Sequence, residues 1–161
     1  MMRFLKKNAK KTALAAMLVA GIPVAAQHEG LRLKAYLDPI GIPTICYGET
    51  EGVAVGDVKT KKECDDMLSV RLAYFGQVVD YYITEDMSPK THAALSSFTY
   101  NVGPDAFSKS TLVKLYNQGK KIEACDQLLR WVNAGGKKLN GLVARRKVEH
   151  KLCLEGLNEP A

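Results

Sequence analysis

A chain of 161 residues, 47% apolar and 25% charged, fits one domain or two small lobes sharing a core, and excludes a disordered or fibrous protein. Five of its 23 basic side chains (Arg3, Lys6, Lys7, Lys10, Lys11) and none of its 17 acidic ones lie in residues 1–26. The remainder carries 18 basic against 17 acidic groups, so the body is nearly neutral and lacks the basic patch that a nucleic-acid binder needs.

The chain opens on MMRFLKKNAKK, followed by the uncharged run TALAAMLVAGIPVAA. As a helix that run spans roughly 22 Å, short of the ~30 Å hydrocarbon core of a bilayer. It is rich in Ala and contains Gly21 and Pro23, so it can engage export machinery yet anchors weakly. The basic flank should stay cytoplasmic while the body crosses. A cleaved signal peptide is the competing reading, and Val24-Ala25-Ala26 offers a small-residue cleavage site.

Residues 27–37 have helical spacing, with Leu31, Leu33 and Tyr36 set among Glu29, Arg32 and Lys34. From Asp38 to Gly56 the texture turns to Pro, Gly, Thr, Ile and Tyr, the chemistry of turns and a small antiparallel sheet. Thr60-Lys61-Lys62-Glu63 is a capping box that opens a long helix. Cys64, Leu68, Leu72, Phe75, Val79 and Tyr82 form one apolar stripe along it, which makes it a candidate spine between two lobes. Ser88-Pro89 starts the next helix and Gly103 closes it. Ser110 caps a short helix ending before Gly119. Another runs from about Lys120 to Trp131, stopping before Gly135-Gly136, and the last runs from about Leu142 to Gly156. The fold class is α+β: a small mixed α/β N-lobe (about 27–59), a connecting helix (about 60–83) and a helical C-lobe (about 88–161).

Cys46, Cys64, Cys125 and Cys153 are even in number, and their spacing fits no short zinc motif. Two disulfides in an oxidising compartment are the natural reading, with three connectivities open. No Gly-rich phosphate loop or nucleophile elbow appears, so neither cofactor nor metal is implied.

Cleaving a glycosidic bond needs a carboxylic acid to protonate the leaving oxygen and a second group to handle water or the developing cation. Any one pair of acidic residues is more often two solvated surface charges. Context singles out Glu29, in the run HEGLRLKAY, with Asp38 nine residues on and Thr44 six further in TICYG. A helix bearing the first and a hairpin bearing the others would form two walls of a cleft.

The segment EGLRLKAYLDPIGIPTICYG resembles the active-site segment of the phage-type lysozymes. The similarity continues through TKKECDDML, ALSSFTYNVG, CDQLLRWVNAGGK and GLVARRKVEHKLC. The resemblance implies a lysozyme-like fold and cleavage of the β-1,4 bond between N-acetylmuramic acid and N-acetylglucosamine in peptidoglycan. It makes Glu29 the general acid, kept protonated near neutral pH by partial burial. Asp38, solvated and ionised, activates water or stabilises the oxocarbenium charge, and Thr44 places that water. Asn101 and the backbone at Gly103 would line the sugar cleft. Arg145 would pair with Glu29, while Arg146 would face solvent. Trp131 is read as core and His28 as structural. The family pattern pairs Cys46 with Cys64 and Cys125 with Cys153. Where many relatives have His after Cys-Tyr-Gly, this chain has Glu49, which removes a possible ion pair from the small lobe.

Three rival readings have weak points. A lytic transglycosylase would not need Asp38, a wall-binding module would survive loss of Glu29, and a membrane-anchored structural protein leaves the Glu/Asp/Thr set unexplained. Cleavage after Ala26 would leave Glu29 as the third residue, on a fraying end. Residues 1–26 are therefore expected to persist, first as an inner-membrane anchor and then within the folded enzyme. That resembles the signal-anchor-release endolysins, and implies a single-pass, inactive precursor, a holin as functional partner and release of a monomer to the periplasm.

Overall fold

A computed structural model describes the backbone of residues 2–161 and the side chains from Ala13 onward; the five basic side chains of the leader lie outside the described residues. A single helix, α1 (Met2–Glu29), runs through Pro23. Proline removes a helical hydrogen bond and typically costs ~3 kcal/mol in a helix interior. Tertiary packing offsets that cost, because Met17, Val24 and Ala25 are buried and Gly21 lies close against Ala93. The boundary expected at residues 26/27 thus falls inside one continuous element.

Then come β1 (Arg32–Leu37) and β2 (Pro43–Cys46), an antiparallel hairpin pairing Arg32 with Cys46 and Tyr36 with Thr44 across an irregularity. The spine α2 (Lys61–Tyr82) begins where its capping box lies, with Thr60 N–H donating to Glu63 Oε2 at 2.7 Å. Its buried stripe is the expected one except at the C-terminal end, where Tyr82 is exposed and Ile83 is buried in its place. Helix α3 (Pro89–Val102) is capped by Ser88 and ended by Gly103. It lies centrally, packed by α1, α2 and α7 (Asn140–Gly156). Of the short helices, α4 (Pro104–Ser108) packs on α3, while α5 (Thr111–Asn117) packs on α6 (Lys121–Gln127) and α6 on α7, and a 3-10 turn (Leu128–Arg130) follows. A two-residue hairpin, β3 (Asn133–Ala134) with β4 (Lys137–Lys138), turns at Gly135-Gly136, so these glycines form a turn as well as ending the helix before them.

Among the described residues the buried side chains form two cores. One joins Ala35, Ile45, Tyr47, Leu68 and Leu72 to Ala25, with Leu18 and Ile22 of α1 packed alongside. The other centres on Leu95, Phe98, Phe107, Leu112 and Leu128 in the C-lobe. Each contains one disulfide, Cys46–Cys64 and Cys125–Cys153, as the family pattern implies. The bridges close loops of 18 and 28 residues, so each is expected to contribute ~3 kcal/mol by restricting the unfolded chain. Replacing either pair by Ala should lower the denaturant midpoint and steepen the slope, because the unfolded chain is freed to expose more surface. An unchanged midpoint would show that the bridge stabilises nothing.

Candidate active site

Sequence spacing put Glu29 early in a helix over 27–37; it is instead the last residue of α1. Gly30 adopts φ +71, a left-handed conformation that ends the helix cheaply only at glycine. The chain beyond it is strand, and Leu31, Leu33, Ala35 and Leu37 follow a period of two. Glu29 therefore stands at the junction of α1 and the small sheet. Its side chain is 22% exposed and accepts a hydrogen bond from Arg145 Nη1 at 2.5 Å through Oε1. Its other oxygen, Oε2, faces Gly48, where an added Cβ would lie 4.0 Å away.

Asp38 sits in the β1–β2 turn. Its Oδ1 accepts from the backbone N–H of Ile40 at 3.0 Å and of Ile42 at 2.8 Å, so the carboxylate is oriented by the turn it stabilises. Thr44, buried on β2, donates its hydroxyl proton to Ile42 O at 3.0 Å. With its proton committed, the Thr44 oxygen is left to accept.

Arg145 is buried, as is its neighbour Arg146. The expectation that Arg146 faces solvent is incorrect. One face of α7 turns inward here while Ala144 and Lys147 stay exposed, and Arg146 donates to Trp131 O at 3.0 Å, to Glu149 Oε2 and to Asn101 Oδ1. Glu149, which spacing alone does not single out, accepts from Arg145 Nε at 3.0 Å and from the Ser97 hydroxyl at 2.8 Å. The readable signal was its place three and four residues after an Arg pair. Asn101 belongs to the last turn of α3 and Gly103 is its C-cap; the Asn101 carboxamide is tied to Arg146. Trp131 packs edge-on against Phe98 at the margin of the C-lobe core. His28 is partly buried, and its Nε2 has no partner among the described residues. Burial first, and Arg145 second, push its imidazole below the usual range, which favours the neutral ring.

Glu49 does not leave the small lobe without an ion pair. It is buried, and its Oε2 accepts from Arg71 Nη1 of α2 at 3.1 Å. The Arg71 guanidinium also lies 5.6 Å from the centre of the Tyr100 ring, and the Tyr100 hydroxyl donates to Tyr47 O at 3.0 Å. This cluster fastens the hairpin to α2 and α3 directly beside Gly48. Burial raises the Glu49 carboxyl above its ordinary range, partly opposed by Arg71.

A family model described as phage lysozyme matches residues 26–149. The chain is 42% identical over 145 residues to the SAR-endolysin of Bacteriophage PS119, covering 89% of this chain and 87% of that protein. Among solved structures, the active form of the P1 phage endolysin Lyz aligns with a TM-score of 0.77 at 28% identity, covering 88% of this chain and 86% of that one. The secreted inactive form of the same endolysin aligns with a TM-score of only 0.51 at 27% identity, covering 68% and 79%.

Proposed function

Because the chain belongs to the phage lysozyme family, we propose that it cuts peptidoglycan with Glu29 as general acid and with Asp38 and Thr44 as the water-handling pair. It is an endolysin, a glycoside hydrolase acting on the β-1,4 bond between N-acetylmuramic acid and N-acetylglucosamine. Glu29 passes its proton to the glycosidic oxygen as the bond to the sugar carbon breaks. Water adds to that carbon, and its proton passes to solvent or to Asp38. A water accepted by Thr44 Oγ1 and Asp38 would keep a lone pair free for attack. The observation that carries the reading is Glu29 itself: a carboxyl on a helix C-terminal end, one oxygen held by Arg145 and the other open beside Gly48. Asn101 and Gly103 would then flank the sugar path, and Arg145 would orient the acid.

Purified peptidoglycan digested to completion gives the test. Hydrolysis should leave reducing muramic acid ends, each carrying one added water. Anhydro-muramic ends would replace the hydrolase with a transglycosylase, and binding without soluble fragments would leave only a wall-binding module.

The same residues support a membrane-tethered precursor. No helix among the described residues is long and apolar enough to cross a membrane. Residues 1–26 would hold the chain to the host inner membrane, N-terminus cytoplasmic, until a holin collapses the membrane potential and the monomer enters the periplasm. While tethered, Glu29 would sit three residues from the bilayer and α1 could not seat against the hairpin, so the precursor would be inactive. The segment holds no cysteine, which leaves positional restraint rather than disulfide exchange as the switch. The greater likeness to the active than to the inactive P1 endolysin supports α1 being seated in the arrangement described.

A further inference from the structure

We propose that Glu149 is a positioning residue for the reaction: it fixes Arg145 against Glu29 and cancels enough local positive charge for Glu29 to keep the proton it donates. The proposal rests on Glu29 being the general acid.

Glu149 is fully buried. Through Oε1 it accepts from Arg145 Nε at 3.0 Å and from Ser97 Oγ at 2.8 Å, and through Oε2 from Arg146 Nη1. Arg145 then points Nη2 at Ser97 O at 3.1 Å and Nη1 at Glu29 Oε1 at 2.5 Å. All three guanidinium nitrogens are engaged, so one orientation of the planar group satisfies them together. Burial makes the cationic form of Arg146 costly, and Glu149 is the anion that offsets it.

A buried ion cluster of this kind is seldom a source of net stability, since apolar residues of similar volume often do as well. Its charge count, however, bears directly on the acid. Two guanidinium groups face two carboxylates, Glu149 and Glu29. With Glu149 present, the cluster carries one net positive charge when Glu29 is protonated and none when it is ionised. Without Glu149, two uncompensated cations would draw the proton off Glu29. The other groups around Glu29 add little to this balance. Burial keeps Tyr100 of α3 a neutral phenol and, with Arg145, disfavours the charged form of His28 on α1. Glu49 of the small lobe and Arg71 of α2 pair with each other.

The experiment is the pH profile of lysis on one peptidoglycan preparation at fixed ionic strength. It compares the full chain with Glu149→Gln, Arg146→Gln and Glu149→Asp. Glu149→Gln should move the alkaline limb to lower pH by roughly one unit, a nearby charge having been lost. Rates above that limb should fall about tenfold, with the acidic side largely kept. Arg146→Gln removes a cation from the same cluster and should move the limb the opposite way. Glu149→Asp keeps the charge and should keep the limb, even where its melting temperature drops. A limb that stays put in folded Glu149→Gln and Arg146→Gln, or moves in the same direction in both, overturns the proposal. Should Glu149→Gln not fold, Arg146→Gln and Glu149→Asp decide by the same criterion. A Glu29→Gln chain that still lysed would sink the general-acid reading itself. An unmoved limb together with an inert Glu29→Gln sinks only the role of Glu149.

Discussion

Glu29→Gln is expected to abolish wall lysis while leaving the fold intact. The amide has nearly the volume of the carboxyl, and its oxygen can still accept from Arg145 Nη1, the contact that Glu29 Oε1 makes. What it lacks is a proton to give. Loss of a general acid costs ~10²–10⁴-fold or more. Asp38→Ala should be comparably severe, because it removes the charge and also the acceptor that holds Ile40 and Ile42 in the turn. Thr44→Ala should leave the hairpin intact, since Thr44 donates only to the backbone of its own hairpin, and should be milder unless the attacking water depends on its Oγ1. Turbidity loss of a peptidoglycan suspension measures all three, with circular dichroism as the check on folding. Substantial lysis by a folded Glu29→Gln chain would contradict the mechanism.

Removal of residues 1–26 should be as damaging by a different route. A chain beginning at Gln27 would keep only the last turn of α1. It would lose Met17, Val24 and Ala25, all buried, together with Leu18 and Ile22, which pack on the small-lobe core. Truncating a single buried Met or Leu typically costs ~2–5 kcal/mol, and whole domains hold only ~5–15 kcal/mol. The shortened chain is therefore expected to lose its cooperative melting transition and its lytic activity together. A truncated protein that melts cooperatively and lyses at the full-length rate would show that α1 is dispensable.

Much of this was legible because local chemistry and tertiary structure agree. The Thr60–Glu63 capping box, the Ser88-Pro89 start and the Gly103 stop are set by a few neighbouring residues, and each stands where its sequence puts it. Residues 31–37 were misread because their apolar and polar positions fit more than one period. Of β1, only Ala35 is buried, so the strand lacks the clean in–out contrast that distinguishes sheet from helix. The leader is expected within the folded enzyme, but its spacing does not show that one helix runs from it through Pro23 to Glu29. Arg146 is enclosed because Trp131 and Asn101 converge on it from other elements alongside Glu149 of its own helix. Glu49 gains an ion pair because Arg71, 22 residues away, lies beside it. Neither convergence can be read along the chain. Glu149 escaped notice for the same cause, since its burial depends on Ser97 of another helix.

Retention of residues 1–26 in the working enzyme is the claim on which folding, activity and release all turn. The intact mass of the soluble, lytically active protein recovered from the periplasm tests it directly. A chain beginning at residue 1 or 2 is the predicted result, because Met17 and Ala25 must still be present to complete the core. An active species beginning at Gln27 would contradict it.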